Sequence, residues 1–320
     1  MPEQSVLTKS VLTKTEVIRP TMCGHNSLFV GRIGDWTWDA VSELCGTDVL
    51  TARAPSGTPA YLSFYYYRIR GGRRFHLRTP AFGDRLRVAT RLFGFGSESV
   101  LTLHRLWLLT PGRQLPDPEA ALAPDAFYQF DDPNCLYVEN FNRWVTRMRA
   151  GSNTDLVRAS PPGFRHAHLP VLPAGYSPRL VCKQARARLS FLGPDGDGYR
   201  PSGPPYLVRY RIDPSRDLNG AGLLYFATYF SIVDWALLKL WNSLGRDDLS
   251  FLERVVIDQQ ICYLGNANAG STVDVTVRRH EAADGSGEAF DLALHENGSG
   301  RLLAVCTLRV LPGEPGGERR

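Results

Sequence analysis

Apolar and polar positions alternate with different periods along the chain, and the longest apolar stretch covers residues 219–245 (NGAGLLYFATYFSIVDWALLKLWNSLG). Its length approaches the roughly 20 apolar residues that a membrane-spanning helix needs. However, Asp234 and Lys239 lie within it, and each central charge would cost roughly 2.5–3.5 kcal/mol on insertion. The pattern therefore predicts no membrane span, but a helix that protein covers on most sides and that ends at Gly245.

A second helix is predicted over residues 35–46, with Asp35 as its N-cap and Gly46 as its end. The next stretch, AYLSFYYYRIR, is rich in aromatic residues and alternates, as a strand does. The glycines at positions 71 and 72 then predict a hairpin into RRFHLRTP. Further strands are predicted in GDRLRVATRLFGF and ESVLTLHRLWLL. NCLYVENFNRWVTRM is compatible with a short helix or a covering strand.

The second half begins with RLVCKQARARLSFLG and PYLVRYRIDPS, both interpreted as strands. The apolar helix and four more alternating stretches follow, so both halves have the same order of strand, loop, helix and antiparallel strands. The sequence therefore predicts an α+β fold in which one antiparallel sheet wraps one helix, twice in tandem: a double hot-dog fold.

The predicted boundaries follow from composition. They are a flexible tail at 1–15, hot-dog unit 1 at 16–150, a Pro/Gly-rich linker at 151–178, hot-dog unit 2 at 179–312 and a disordered tail at 313–320.

Composition adds limits to this picture. The six Cys lack CxxC pairs, so we expect reduced thiols and a cytoplasmic protein. No signal-peptide pattern opens the chain. His166 and His168 lie in the Pro/Gly-rich segment without a third ligand, so surface histidines are favoured over a metal site. No metal or bound cofactor is expected.

Charge is modestly positive, at +5, and basic residues are densest in RIRGGRRFHLR. Arg68, Arg70, Arg73 and Arg74 there could bind phosphates of a substrate or an acidic protein, since guanidinium groups form paired hydrogen bonds with such anions. A solvated hairpin face explains the cluster equally well. Nucleic acid is not expected, because no helix-turn-helix, zinc-finger or RNP pattern occurs.

Four stretches carry a resemblance that covers almost the whole chain: TMCGHNSLFVGRIGDWTWDAV, GTPAYLSFYYYRIR, DDPNCLYVENFNRW and DLNGAGLLYFATYFSIVDW. They resemble the LnmK family of leinamycin-type polyketide pathways. The resemblance implies a bifunctional acyltransferase and decarboxylase that takes methylmalonyl from coenzyme A and releases carbon dioxide. It further implies that propionyl is left on the phosphopantetheine of an acyl carrier protein, and that the catalytic residue is a tyrosine.

That role is assigned by resemblance to Tyr61, with Tyr65, Tyr66 and Tyr67 as rivals on the same stretch. The chain has no GxSxG nucleophile elbow. A tyrosine hydroxyl has a pKa of about 10 in water, so a nucleophilic tyrosine needs a base or a cation beside it. His25 or an arginine of the predicted hairpin could supply one.

Decarboxylation of a malonyl thioester builds an enolate, which hydrogen-bond donors stabilise in a site with little water. Loops before the two predicted helices hold His25 and Asn26 in one half, and Asp217 and Asn219 in the other. We expect these residues to orient the substrate, with Asp217 in substrate binding; helix capping is an equally good explanation of both asparagines.

Three alternatives remain open from the sequence. A hot-dog dehydratase would pair His25 with Asp217, and a hot-dog thioesterase would release a free acid. A non-catalytic acyl-CoA or carrier-binding module would use the arginines but not Tyr61. A homodimer is expected, because hot-dog proteins commonly pair their sheets.

Overall fold

A computed structural model of the protein describes residues 10–313. Strands dominate it, and six helices accompany them. The strands are β1 (Val11–Val17), β2 (Tyr61–Arg70), β3 (Arg85–Gly94), β4 (Ser99–Leu108), β5 (Cys135–Arg147), β6 (Leu156–Arg158), β7 (Tyr199–Pro201), β8 (Tyr206–Arg211), β9 (Val255–Tyr263), β10 (Thr272–Ala282), β11 (Glu288–Glu296) and β12 (Leu302–Leu311). The helices are α1 (Asn26–Cys45), α2 (Pro118–Ala121), α3 (Pro124–Phe127), α4 (Pro178–Arg188), α5 (Thr228–Ser243) and α6 (Asp248–Glu253).

All described strands join one antiparallel sheet with the main order β1-β3-β4-β5-β2-β9-β12-β11-β10-β7. Both halves have the same strand order when the strands are followed from the outer edge of the sheet to its centre. The order is β3-β4-β5-β2 in the first half and β10-β11-β12-β9 in the second. Because β2 and β9 pair antiparallel at the centre, the two halves run in opposite directions across that joint. We call the β2–β9 joint the seam. The predicted α+β double hot-dog fold is confirmed.

The two long helices, α1 and α5, contact each other and pack on one face of the sheet. Gly46 ends α1 with a left-handed φ of 62°, as predicted. The start of α1 was wrongly predicted, because the helix begins nine residues before Asp35 and its 20 residues exceed the 16 of α5. Gly31 and Gly34 weaken the helical pattern of this stretch, since glycine costs about 1 kcal/mol in a helix interior.

A close contact explains the glycine at position 34. A Cβ atom there would lie 2.3 Å from Cζ of Phe226, on the segment that leads into α5. The glycine therefore permits α1 to approach that segment more closely than a larger residue would.

The segment predicted as the tail 1–15 is partly a strand. Val11–Val17 pairs with β3 along its whole length, because a run rich in Val and Thr suits an extended edge strand. Residues 1–9 and 314–320 lie outside the described part of the chain, so nearly all of the predicted C-terminal tail does too. The segment predicted as a linker, 151–178, contains β6, which pairs with β5.

Two other predictions were wrong. The stretch RLVCKQARARL forms α4 rather than a strand: Pro178 occupies the first turn, and Cys182 and Ala185 bury one side of the helix against the sheet. No hairpin follows β2. Residues 71–84 form a loop whose buried Phe75 and Leu77 anchor it to the core instead of alternating as a strand would.

The ambiguous stretch around residue 140 is the 13-residue strand β5, next to β2 in the sheet. Within residues 10–313, no helix is both long enough and apolar enough to cross a membrane.

Candidate active site

The seam opens at one end, and this opening forms the candidate site. Only Tyr66–Arg70 of β2 pairs with β9, and the register of β2 against β5 shifts between Phe64 and Tyr66. Residues 61–65 therefore keep one neighbouring strand but lack β9 on their other side. A cavity of about 380 Å³ occupies this gap.

The cavity is lined from both halves of the chain, which gives it an aromatic floor and a few polar groups. Its lining includes Tyr61, Phe64, Tyr65, Arg143, Asn219 and Phe226. The Phe64 and Phe226 rings are 4.1 Å apart between centroids. Such a mostly apolar pocket with a few convergent polar side chains is typical of small-molecule sites.

Tyr61 is half-buried at the start of β2, and its hydroxyl accepts a hydrogen bond from Nη1 of Arg147 at 3.3 Å. The guanidinium carbon also lies 5.6 Å from the centre of the Tyr61 ring. The β2–β5 register explains the contact, because Tyr61 is opposite Val145 and Arg147 is two residues further along β5 on the same face. The tyrosine predicted as the nucleophile thus has a cation beside it.

Neutral acceptors hold this arginine in place. Its Nε and Nη2 donate to Oδ1 of Asn153 at 3.2 and 2.8 Å, and Nη2 also donates to the Ala221 carbonyl at 2.7 Å. Asn153 is buried and donates in turn to the carbonyls of Gly222 and Ala267. Within the described residues, no carboxylate forms an ion pair with Arg147, so its hydrogen-bond partners are all uncharged groups.

Asn219 lies in the same cavity and shapes the loop before α5. Its Oδ1 accepts hydrogen bonds from the backbone of Ala221 and Leu223, each at 3.0 Å. Its Nδ2 has no hydrogen-bond partner in the described part of the chain. Asn219 therefore shapes the loop and also lines the cavity. The alternative role of helix cap was wrong for both asparagines, because Ala227 is the N-cap of α5 and His25 is the N-cap of α1.

The rival tyrosines differ in their surroundings. Tyr65 also lines the cavity, with the Arg143 guanidinium 4.3 Å from its ring centre. Burial raises the pKa of Tyr65, and the neighbouring Cys182 raises it further. Tyr66 is buried and donates to Oε1 of Gln260, and Tyr67 is buried against Phe226 and Phe230. Burial raises the pKa of both hydroxyls far above 10, which disfavours either as a nucleophile.

His25 and Asn26 do not reach this cavity. His25 is the N-cap residue of α1, exposed to solvent, with Nδ1 2.5 Å from Oγ of Ser27. Asn26 is buried and donates through Nδ2 to Asp234 at 3.2 Å, and Asp234 forms an ion pair with Arg254 at 2.7 Å. The prediction that both loops meet at one site was wrong, because the antiparallel seam places the starts of α1 and α5 at opposite ends.

Asp217 is buried near the start of the α5 segment but outside the cavity lining. It accepts hydrogen bonds from the Tyr210 hydroxyl at 2.9 Å and from the backbone of Asp213 at 2.7 Å. These contacts fix the turn after β8. His25 and Asp217 have no contact with each other, which removes the catalytic pair that a dehydratase would need.

The predicted arginine cluster is dispersed over the structure. Arg68 forms a two-point ion pair with Asp258, at 3.0 and 2.7 Å, and Arg70 lies over the Phe130 ring. Arg73 donates to the Pro312 carbonyl, and Arg74 is exposed. None of the four lines the cavity of Tyr61, so their predicted substrate contacts have no support in its geometry.

A second cavity, of about 420 Å³, lies at the other end of the seam. Its lining includes Cys23 and Gly24, which precede α1, together with Arg73 and Arg254. It occupies the position that corresponds, across the antiparallel seam, to the cavity of Tyr61. Within the described residues, no three His, Cys, Asp or Glu side chains come together to hold a metal ion.

Sequence reasoning missed Arg147 and Asn153. Arg147 lies just beyond the stretch DDPNCLYVENFNRW that carries the resemblance, and its contact with Tyr61 depends on strand register. A search for basic residues on strands next to Tyr61 would have needed the order of the sheet.

Structural comparisons agree with this fold. The chain is similar to an acyl-ACP thioesterase from Bacteroides thetaiotaomicron, with a TM-score of 0.54, 9% identity, and 94% of this chain and 98% of that chain covered. It is also similar to the 12:0-ACP thioesterase from Umbellularia californica, with a TM-score of 0.55, 11% identity, and coverage of 97% and 100%. At such low identity these likenesses show the fold alone.

Sequence comparison identifies the family. Among curated proteins, no sequence gives a significant match. A family model described as the LnmK N-terminal Hot Dog Fold domain matches residues 13–193, more than half of the chain, from β1 through α4 and the residues that follow it. The resemblance seen in the sequence is therefore confirmed, and the chain belongs to the LnmK N-terminal hot-dog-fold family.

Proposed function

We propose that the protein is a bifunctional acyltransferase and decarboxylase that converts methylmalonyl-CoA to propionyl on an acyl carrier protein in polyketide biosynthesis. The observation that carries the proposal is the Tyr61 hydroxyl, hydrogen-bonded at 3.3 Å to a guanidinium that no described carboxylate neutralises. Family membership supports it through the activity that the sequence resemblance implies. Chemistry on an acyl thioester also fits the activity of the two thioesterases of similar fold.

In the first step, the Tyr61 oxygen attacks the thioester carbonyl of methylmalonyl-CoA. The ester C–O bond forms, the C–S bond breaks, and coenzyme A leaves as the thiol with the phenolic proton. The positive charge of Arg147 favours this step because it stabilises negative charge on the attacking oxygen. Asn153 positions Arg147 and has no direct part in the chemistry.

In the second step, the carboxylate of the tyrosyl ester leaves as carbon dioxide. The electron pair of the broken C–C bond forms an enolate, which takes up one proton to give the propionyl ester. A donor fixed near the carbonyl oxygen stabilises the enolate. Asn219 Nδ2 is the amide donor in this cavity, and the aromatic floor of Phe64 and Phe226 limits water around the carboxylate.

In the third step, the phosphopantetheine thiol of the carrier attacks the propionyl ester. The new C–S bond forms, and the Tyr61 oxygen leaves with the thiol proton, which restores the enzyme. Overall, methylmalonyl-CoA, the carrier thiol and one proton give propionyl-carrier, coenzyme A and carbon dioxide.

The test is an incubation of the protein with methylmalonyl-CoA and a phosphopantetheinylated carrier, followed by mass spectrometry of the carrier. We expect a carrier that gains the mass of propionyl. Methylmalonyl on the carrier would show transfer without decarboxylation, and free acid would show a thioesterase. An unchanged carrier would support a binding module.

A further inference from the structure

Helix α4 presents an unpaired basic surface beside the candidate site. The helix, PRLVCKQARAR, contains no acidic residue. Its exposed basic side chains are Arg179, Lys183, Arg186 and Arg188. In the part of the chain that the structure describes, no carboxylate forms an ion pair with any of them. Like charges three or four residues apart on a helix repel each other, so a partner of opposite charge would stabilise this helix.

Three of these side chains form a row. With 3.6 residues per turn and a rise of 1.5 Å, Arg179, Lys183 and Arg186 fall within about 60° around the axis and about 10 Å along it. The helix is fixed from another side, where Cys182 and Ala185 are buried in the core. The row is therefore held by a packed element and remains open to solvent.

The row continues to the rim of the cavity that holds Tyr61. The Arg179 guanidinium lies 4.7 Å from the Phe95 ring centre and 5.6 Å from that of Phe141. The Phe141 ring in turn lies 6.0 Å from the ring of Tyr65, and the Arg143 guanidinium lies 4.3 Å from that ring; Tyr65 and Arg143 both line the cavity. Burial lowers the pKa of Arg143, and the neighbouring Arg158 of β6, which is exposed, and Arg179 lower it further. We call Arg158, Arg179, Lys183 and Arg186 the α4 basic surface.

We propose that the α4 basic surface is the docking site of the acidic carrier protein, and that it directs the phosphopantetheine arm past Arg143 to Tyr61. The proposal rests on the function proposed above. Opposite charges across an interface guide encounter and fix orientation more than they add affinity. The α4 basic surface lies outside the cavity and next to it. The body of a carrier protein must occupy such a position when its phosphopantetheine arm enters the cavity.

The shape of the surface favours a protein over the phosphates of coenzyme A. A phosphate group is held by donors that converge on one point, such as the two-point hydrogen bonds of arginine. Here the charges are spread along one side of an exposed helix and do not surround a pocket. Such a row suits acidic side chains on a helix of the partner.

The test compares two triple variants. The first is Arg179→Glu, Lys183→Glu and Arg186→Glu. The matched control is Arg85→Glu, Arg200→Glu and Arg211→Glu, which reverses three exposed charges on strands β3, β7 and β8. We measure the Kd of a phosphopantetheinylated acyl carrier protein at low and high salt. Separately, we measure an apparent KM for methylmalonyl-CoA, defined as its half-saturating concentration in the single-turnover release of coenzyme A without carrier.

We expect the α4 variant to bind the carrier at least tenfold more weakly than wild type, with its KM for methylmalonyl-CoA within twofold. The control should match wild type in both. Wild-type binding should weaken as salt rises, since exposed charges are screened. Should the glutamate variant lose its thermal unfolding transition, the corresponding glutamine variant takes its place, with at least a threefold loss expected.

Two results overturn the docking site: unchanged carrier affinity in the α4 variant, or a KM for methylmalonyl-CoA that rises as much as the carrier Kd. The second would assign the surface to the nucleotide of coenzyme A. Failure of the reaction is recognised separately. If wild type binds the carrier through α4 but forms no propionyl, the docking site stands and the proposed reaction falls.

Discussion

The two ends of the seam have the same architecture but different electrostatics. At one end, Arg147 contacts Tyr61 and is held by amide and carbonyl oxygens alone. At the other end, Arg254 forms an ion pair with Asp234 at 2.7 Å and donates to the Phe251 carbonyl. A duplicated fold thus offers two corresponding cavities, and they differ in the arginine beside each: Arg147 is held by neutral acceptors, whereas Arg254 is paired with a carboxylate.

The largest expected effect separates the tyrosines at the open end. Tyr61→Phe removes only the hydroxyl, so we expect carrier propionylation to fall at least about 1,000-fold, because no acyl acceptor remains. Tyr65→Phe is the matched control in the same cavity and should stay within about threefold. The measurement is the initial rate of propionyl-carrier formation. Full turnover by Tyr61→Phe, together with loss of turnover in Tyr65→Phe, would assign the nucleophile to Tyr65 instead.

The next test compares the effect of the same substitution at the two arginines. Arg147→Gln should reduce kcat about 100-fold, the typical loss for one charge-stabilising donor. It should lower the free energy of unfolding by about 1 kcal/mol, because Oδ1 of the buried Asn153 loses its donors. Arg147→Lys keeps the charge and should recover part of the loss. Steady-state kinetics of each variant give kcat, and denaturant unfolding gives its free energy of unfolding.

Arg254→Gln should show the opposite result. Breaking a buried ion pair leaves Asp234 without its cation, so the free energy of unfolding should fall by about 3 kcal/mol, while kcat per folded molecule stays near wild type. If Arg254→Gln loses activity as strongly as Arg147→Gln, both ends of the seam take part in the reaction and the contrast between them is wrong.

A smaller effect concerns a buried carboxyl group beside the closed middle of the seam. Glu139 on β5 is buried, accepts a hydrogen bond from the Tyr128 hydroxyl at 2.8 Å, and has its pKa raised by burial from 4.5 to about 7. The folded protein therefore binds a proton that the unfolded chain has lost. Its free energy of unfolding should decrease as pH rises from about 4.5 to 7, by up to about 3 kcal/mol.

The variant Glu139→Gln keeps an acceptor for Tyr128 without the titrating group. Denaturant unfolding across this pH range should show a flatter curve for the variant, with the gain in stability largest above pH 7. An identical pH dependence in both proteins would mean that Glu139 stays ionised in the fold. Turnover at the open end should be unaffected by this change, which separates stability at the middle of the seam from chemistry at its end.

Local pattern was enough to predict the repeat. The apolar run before Gly245 and the alternation in β2 are properties of short stretches, and they predicted two wrapped helices and an antiparallel sheet. Tyr61 and Asn219 were both named from the sequence, and the fold brings both to one cavity. Their catalytic roles stay predictions.

The errors came from tertiary contacts. Asn26 and Asn219 precede equivalent helices, but the antiparallel seam separates them, which no local pattern reveals. Arg147 meets Tyr61 only through the β2–β5 register. Gly34 weakens the helical pattern of α1 because the Phe226 ring occupies the space that a side chain would fill. Helix α4 was mistaken for a strand, although Cys182 and Ala185, three residues apart, are buried on one side of it.

The most direct test of the account is to detect the acyl group on Tyr61. The protein is mixed with methylmalonyl-CoA in the absence of carrier, quenched in acid, digested and analysed by mass spectrometry, with Tyr61→Phe treated in parallel. We predict an acyl ester on the peptide that contains Tyr61 and none on the variant. An unmodified Tyr61 in a protein that still delivers propionyl to the carrier would contradict the account.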